Sequence, residues 1–405
     1  HDPAMIIIHN NVPGLLLIGL ASDPGIPVLS TSLSQGQLLQ GLLENGRVVL
    51  AARGIPQEKS PYVYDVIFSD RGRIQDTHRR TVDRSNTVRT HATYHAGTEG
   101  WVGGEAHHAY PPFSGFSSDF ARNLITPLDR TEYTGIGDAR WQHVGWASMA
   151  PFEFVFQGGL QAPIQTYPRA ANRSAEWFRQ PQWPAVIRNW EVGDNGEPVT
   201  RTGNAIQAFV PEFVDSDQRF GFSDGNNTSR FRLFENGEQI AETTGWRGTY
   251  PVSGDPATYR AELSVERTAP FWTMSTDSDT AWTFRSAPPA EGVTAAVPLL
   301  LADYDVGVLD ALNRAPRGSF PIDVAIHRQQ GAPAAAITDA RLWASFDDGG
   351  TWRRVDLTDR GGGNFTATVA HPAAASRKFV SLRLQATDAG GSAITQTIIR
   401  AYGLV

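Results

Sequence analysis

The chain has no cysteine. Disulfides, thiolate metal ligands and cysteine nucleophiles are therefore excluded together. Charge is also sparse, at 19% of residues, and the acidic side wins: 42 Asp and Glu against 35 Lys and Arg give a net charge of -7. A surface with that balance has little to offer a phosphate backbone or an anionic bilayer, so nucleic-acid binding and membrane insertion through bulk charge are not expected. Long apolar runs are missing too. The nearest approach, Ala4 to Ala21, has no basic lead-in and is interrupted by His9-Asn10-Asn11, Pro13 and Gly14, so it fits neither a signal peptide nor a membrane span.

What the chain does have is turn chemistry. In 405 residues, 39 Gly and 26 Pro are scattered among 40% hydrophobic residues, a profile of many strands joined by many turns. The expected fold class is mainly β, with antiparallel sandwiches, a small N-terminal α/β segment and a C-terminal immunoglobulin- or fibronectin type III-like domain. The length suits several cores, and three regions are expected: 1–55, 56–295 and 296–405.

The first region combines two apolar runs, Met5 to Ile8 and Ile26 to Leu29, with one helix. Ser34 with Gln37 predicts a capping box, Leu38/Leu42 and Leu39/Leu43 an apolar stripe, Gly46 the stop and Arg47 to Ala51 a further strand. Beyond residue 60 helical periodicity fades. Tyr62 to Phe68, Phe231 to Phe234 before Asn236-Gly237, and Tyr259 to Val265 read as strands. The last hundred residues alternate most cleanly, at Leu342/Ala344/Phe346, Phe365/Ala367/Val369 and Val380/Leu382/Leu384, with turns at Asp347-Asp348-Gly349-Gly350 and Asp388-Ala389-Gly390-Gly391.

The order of these pieces resembles the C-terminal region of large secreted subtilisin-like serine peptidases of actinobacteria. Ala4-Met5-Ile6-Ile7-Ile8-His9-Asn10-Asn11, Ile26-Pro27-Val28-Leu29 and the Ser34-Gln35-Gly36 helix start look like the second half of a protease-associated domain. Ser60 to Asp65, Arg130-Thr131-Glu132-Tyr133 and Trp282-Thr283-Phe284-Arg285-Ser286 look like the β-rich region that follows it. Trp343 to Gly349 and Ile398 to Gly403 look like the terminal sandwich. The resemblance implies export, a peptidase parent whose catalytic domain lies upstream, and an accessory role in folding, substrate positioning or partner binding. The start at His1-Asp2-Pro3 leads us to expect a fragment or a processed product.

No catalytic residue is expected in this chain. Gly145-Trp146-Ala147-Ser148-Met149-Ala150-Pro151 echoes the nucleophile segment of that family, but Trp146 and Ala147 replace its Gly-Thr approach and Phe152 stands where its final His would follow. The metal candidates are His91, His95, His107 and His108, with Glu105 and Asp83 nearby. If a strand continued from His91 to His95 the two would share a face, and a paired strand could bring His107 or His108 opposite, as a zinc site requires. Ordinary surface or core histidines are the alternative. Asp215/Asp217, Asp277/Asp279, Asp303/Asp305 and Asp224-Gly225-Asn226-Asn227 could supply oxygens to a structural calcium, or simply build turns.

Eleven tryptophans, including Trp177, Trp183, Trp190, Trp246 and Trp272, could stack on sugars or fill cores. Two other readings therefore stay open beside the peptidase one. They are a free-standing secreted protein that binds carbohydrate or cell wall, and a metal-binding protein or metal-dependent hydrolase.

Overall fold

A computed structural model describes residues 3–13, 25–50, 57–68, 79–148, 158–187, 199–222, 227–373 and 378–405. The chain divides into two compact units, His1–Ile55 and Pro56–Val405.

In the first unit β1 (Ile6–His9) and β2 (Val28–Thr31) pair in parallel, and α1 (Leu33–Glu44) follows directly. The capping box sits two residues earlier than the sequence suggested. Ser32 accepts from the Gln35 backbone while Gln35 reaches back to the Ser32 N–H, because β2 runs to Thr31 and leaves Ser32 as the first residue free to cap. The leucine stripe is not the face that α1 buries. Leu38, Leu42 and Leu43 are exposed, whereas Gly36 is buried and packs so close to His9 that a Cβ there would stand 2.2 Å from the His9 ring. Gly46 does end the helix, at φ +136°, but Arg47 to Leu50 form no strand, and Ala51 lies outside the described residues.

The second unit is built almost wholly from strands. Its first part contains β3 (Tyr62–Asp65), β4 (Thr87–Tyr94), β5 (Trp101–Tyr110), β6 (Ser118–Thr126), β7 (Leu128–Gly135), β8 (Arg140–Ala147), β9 (Gly159–Gln161), β10 (Gln165–Thr166) and β11 (Ala171–Trp177). There follow β12 (Thr200–Thr202), β13 (Ala205–Phe209), β14 (Phe220–Phe222), β15 (Asn227–Glu235), β16 (Glu238–Thr244), β17 (Arg247–Pro251), β18 (Ala257–Arg267), β19 (Asp277–Ser286) and β20 (Thr294–Ala296). The last are β21 (Leu300–Val306), β22 (Arg314–Ala315), β23 (Gly318–Arg328), β24 (Ile337–Ser345), β25 (Arg353–Val355), β26 (Leu357–Gly361), β27 (Asn364–His371), β28 (Phe379–Asp388) and β29 (Ala393–Leu404).

Two sheets make the first sandwich. One is ordered β14-β9-β8-β5-β6 with β10 on β8, and the other β11-β4-β7-β3. Tyr94, Leu124, Leu160 and Trp177 share its apolar core with Phe178, Phe213 and Trp272. The remaining strands surround a second core, with β16-β15-β18-β19-β29-β28-β24-β25 as its largest sheet and β21-β23-β27-β26 opposite. Mainly antiparallel β-sandwich architecture is thus what the residues form.

Period-2 alternation explains it. Along β18, Ala257, Tyr259, Ala261, Leu263 and Val265 are all buried while the intervening Thr258, Arg260 and Glu266 are exposed. Asn236 and Gly237, at φ +50° and +91°, form the two-residue turn between β15 and β16 that the Asn-Gly pair predicted. The terminal alternation points inward as expected, at Leu342, Ala344, Phe365, Ala367, Val369, Val380, Leu382 and Leu384. The division expected at 295/296, in contrast, is not a structural seam. β19 pairs with β29 from Asp277↔Ile399 to Thr283↔Ala393, and one core continues from Trp183 to Leu404.

Candidate functional site

The interior of the first sandwich is charged. Alternation along the strands is the reason, because it places every second residue on the inner face. On β5 those residues are Glu105 and His107, and antiparallel register sets them opposite Gly145 and His143 of β8, with Arg122 of β6 beside Glu105. From the other sheet come Tyr94 of β4, Arg130 and Glu132 of β7 and Asp65 of β3. Gly145 leaves room here for two rings. A Cβ on it would press within 3.2 Å of both Trp177 and Phe178, the rings that wall this end of the core.

The polar groups form one network. Glu105 receives Arg122 Nη1 at 2.7 Å and Arg130 on Oε1, and Tyr94 Oη at 2.8 Å and His143 Nε2 at 2.8 Å on Oε2. Glu132 Oε1 lies 2.6 Å from Tyr94 Oη, whose single proton is shared with Glu105 Oε2, and accepts both Nε and Nη2 of Arg130, at 3.0 and 2.8 Å. His107 Nδ1 stands 2.6 Å from Asp65 Oδ2, whose other oxygen pairs with Arg122. Its Nε2 is then aimed at Glu105 Oε2 and Glu132 Oε2, each 3.7 Å away. The rings of His107 and His143 meet edge to face at 3.8 Å.

Burial and charge shift these groups in opposite senses. Burial acts to raise the Glu105 carboxyl, but Arg130, the His143 hydrogen bond and His107 outweigh it and hold the group well below the usual carboxylate range. Burial, helped by the neighbouring His107, takes His143 down to about 4. His107 moves the other way: burial would lower it, yet Asp65, Glu105 and Glu132 together raise it. Burial likewise drives the Tyr94 phenol well above its ordinary value.

A cavity of about 300 Å³ opens above this floor. The buried His107 and Glu132 line it with His143, Gln142 and Trp141, and the exposed Arg173 and Ser174 of β11 line its solvent side. Chemically, the arrangement is a fixed set of donors and acceptors whose Oε1 atoms are committed to guanidinium groups, while Oε2 of both glutamates and the two imidazoles face one another.

Of the four expected metal candidates, only His107 enters this cluster. His91 lies on the exposed face of β4. The expected pairing of His91 with His95 fails because β4 ends at Tyr94; His95 is buried against the Asp310 carbonyl, 3.0 Å from its Nδ1. His108 points to the opposite side of β5 from His107 and pairs with Asp119 at 2.7 Å. Asp83 caps an exposed turn through Ser85. The structure brings in Glu132 and His143, which sequence reasoning missed. A signal was present in the Glu105-x-His107 and Arg130-x-Glu132 spacing, which puts charged pairs on one face of a strand.

Two of the three aspartate pairs are engaged with basic side chains. Asp215 and Asp217 bind Arg219 at 2.6 and 2.7 Å, Asp303 faces His327 at 2.9 Å, and Asp305 binds Arg179 at 3.0 Å. Asp277 and Asp279 lie within β19, and Asp224 to Asn226 lie outside the described residues. Trp177, Trp183 and Trp272 are buried and Trp246 packs half-buried on the core; Trp190 lies outside the described residues. Ser148 is 2% exposed, directly after β8, and its backbone N–H donates to the Val102 carbonyl.

No family model matches the chain, and no curated protein matches it. Seventeen chains of solved structure do match. One is from a bacterial ice-binding adhesin of 1.5 MDa whose structure concerns retention at a host cell surface. It is 11% identical, covers 80% of this chain and 100% of its own, and has a TM-score of 0.18. Another comprises the FN1–FN3 domains of chicken CNTN1, 11% identical, covering 77% of this chain and 99% of its own, with a TM-score of 0.16. At these scores neither carries an argument about fold or function.

Proposed function

We propose that this chain is the non-catalytic C-terminal region of a secreted subtilisin-like serine peptidase, and that it serves its parent by holding a polar segment of protein substrate in the cavity of the first sandwich. The order of sequence segments supports the parentage. The single observation that carries the binding role is the cavity itself, about 300 Å³ of space with hydrogen-bonding walls over a rigid, ion-paired floor. Ser148 supports the non-catalytic half, since a hydroxyl 2% exposed offers no approach to a scissile carbonyl. Among the described residues no helix is long and apolar enough to cross a membrane. The carbohydrate reading draws little from the tryptophans that suggested it, because those described are buried or packed on a core.

The purified chain should leave casein intact and take no label from a fluorophosphonate; labelling at Ser148 overturns the non-catalytic reading. Casein-derived peptides should change the fluorescence of Trp141 and Trp177 saturably, and Ser174→Trp on the solvent side of the cavity should abolish the change. A flat response in the unmodified protein overturns the binding role.

A further inference from the structure

We propose that Glu105, His107, Glu132 and His143 form a binding site for one divalent transition-metal ion of the zinc class. The site goes beyond the peptidase reading and stands or falls separately from it.

One ligand atom from each of the four residues falls within a sphere where all lie within 4.8 Å of one another. His107 Nε2 is 3.7 Å from Oε2 of both glutamates, and His143 offers Nε2 at 2.8 Å from Glu105 Oε2 and Nδ1 at 3.9 Å from Glu132 Oε2. A tetrahedral ion with bonds of about 2.0–2.1 Å to nitrogen and oxygen needs ligand atoms about 3.4 Å apart. With His143 binding through Nε2, the two His107 edges need to close by a few tenths of an ångström and the His143–Glu105 edge to open by about half an ångström, while the widest spacing in the cluster, within 4.8 Å, closes by side-chain rotation toward the ion. Two imidazoles and two carboxylates are a zinc-type donor set. Calcium, which takes six to eight oxygens, is excluded by the nitrogens and by the number of groups present.

The surroundings do what outer groups of a metal site do. Asp65 Oδ2 stands 2.6 Å from His107 Nδ1, an ion-pair contact on the outer side of the ring that leaves Nε2 directed inward, the place a carboxylate takes behind a metal-binding histidine. The arginines bind only the outer oxygens: Arg122 and Arg130 take Oε1 of Glu105, and Arg130 takes Oε1 of Glu132. Both Oε2 atoms are left on the side of the histidines. Tyr94 already bridges to Glu132 Oε1 at 2.6 Å and can keep that partner when a metal claims Glu105 Oε2. Charge permits the ion as well. Around the four ligands Asp65, Glu105 and Glu132 face Arg122 and Arg130, so an ion that takes the place of a proton on His107 meets one carboxylate more than there are guanidinium groups. The cavity supplies the entry path, reaching His107, Glu132 and His143 from its solvent side at the exposed Arg173 and Ser174.

The test uses the full chain, stripped with EDTA and dialysed, then titrated with zinc chloride against a chromophoric competitor and with cobalt chloride by visible absorption. One zinc should bind per chain, and cobalt should give the intense visible bands of a four-coordinate site. His107→Ala and His143→Ala should each abolish both signals, His91→Ala and His108→Ala should leave them unchanged, and Asp65→Asn should weaken zinc about 10- to 100-fold. Folding of each variant is checked by circular dichroism. Failure of the folded wild-type chain to take up zinc overturns the proposal whatever the variants do, as does retention of full affinity by a folded His107→Ala or His143→Ala protein.

Discussion

Removing Arg130 should be among the most costly single changes in the molecule. Its side chain is fully buried and answers Glu105 and Glu132 together, so Arg130→Met leaves Glu132 without its guanidinium partner and Glu105 with Arg122 alone, both carboxylates almost fully buried. Breaking a buried ion pair by deleting one partner costs about 3–5 kcal/mol, most of it the penalty of the charge left behind. Spread over the unit Pro56–Val405 at about 2.1 cal/mol/K per residue, a loss near 4 kcal/mol lowers the melting temperature by about 5 °C. Urea unfolding followed by tryptophan fluorescence gives the free energy, and calorimetry the midpoint. The control is Arg130→Met with Glu132→Gln, which removes one stranded charge and should recover part of the loss. If Arg130→Met costs less than about 1 kcal/mol, as an exposed pair would, or if the added Glu132→Gln makes matters worse by its full single-variant cost, the reasoning that this network is desolvated and mutually dependent is refuted.

Three further outcomes test other parts of the fold. Asp388 accepts from Arg328, Gly390 and Ser392, and these partners overcome the opposing effect of burial and hold its carboxyl below the ordinary value. Its contribution is therefore complete above the unfolded carboxyl pKa near 3.9 and is lost as pH falls through the lower folded value; in urea titrations the advantage of wild type over Asp388→Asn should be constant at neutral pH and shrink in acid. Gly363 sits at φ +81° with its missing Cβ 2.1 Å from the Ile326 carbonyl, so Gly363→Ala should cost about 2 kcal/mol or more, and a neutral result by thermal denaturation would contradict the placement of the β26–β27 turn. Ser32→Ala removes the capping box of α1 and should lower stability of the first unit by about 1 kcal/mol, read as lost helical ellipticity on heating; Ser34→Ala should leave it unchanged.

The sequence determined what depends on neighbours along the chain. Alternation in β18, β24, β27 and β28 fixed their buried faces before any partner strand was known, because a one-residue slip would turn every apolar side chain outward. Asn236-Gly237 fixed its hairpin because few other pairs tolerate two successive positive φ angles. Tertiary structure decided what depends on pairing across distance. Whether 296–405 stood alone was settled by β19 meeting β29, a contact between segments more than a hundred residues apart. The charged cluster was half legible: Glu105 and His107 share a strand face and could be read together, but nothing local says that β8 will bring His143 opposite His107, or that β7 will present Glu132 from the other sheet. His91, closer in sequence to His107 than His143 is, ends on an outer surface for the same reason. Side-chain chemistry is written in the chain, but its convergence is set by register and by which sheet lies opposite, and those follow from packing the whole.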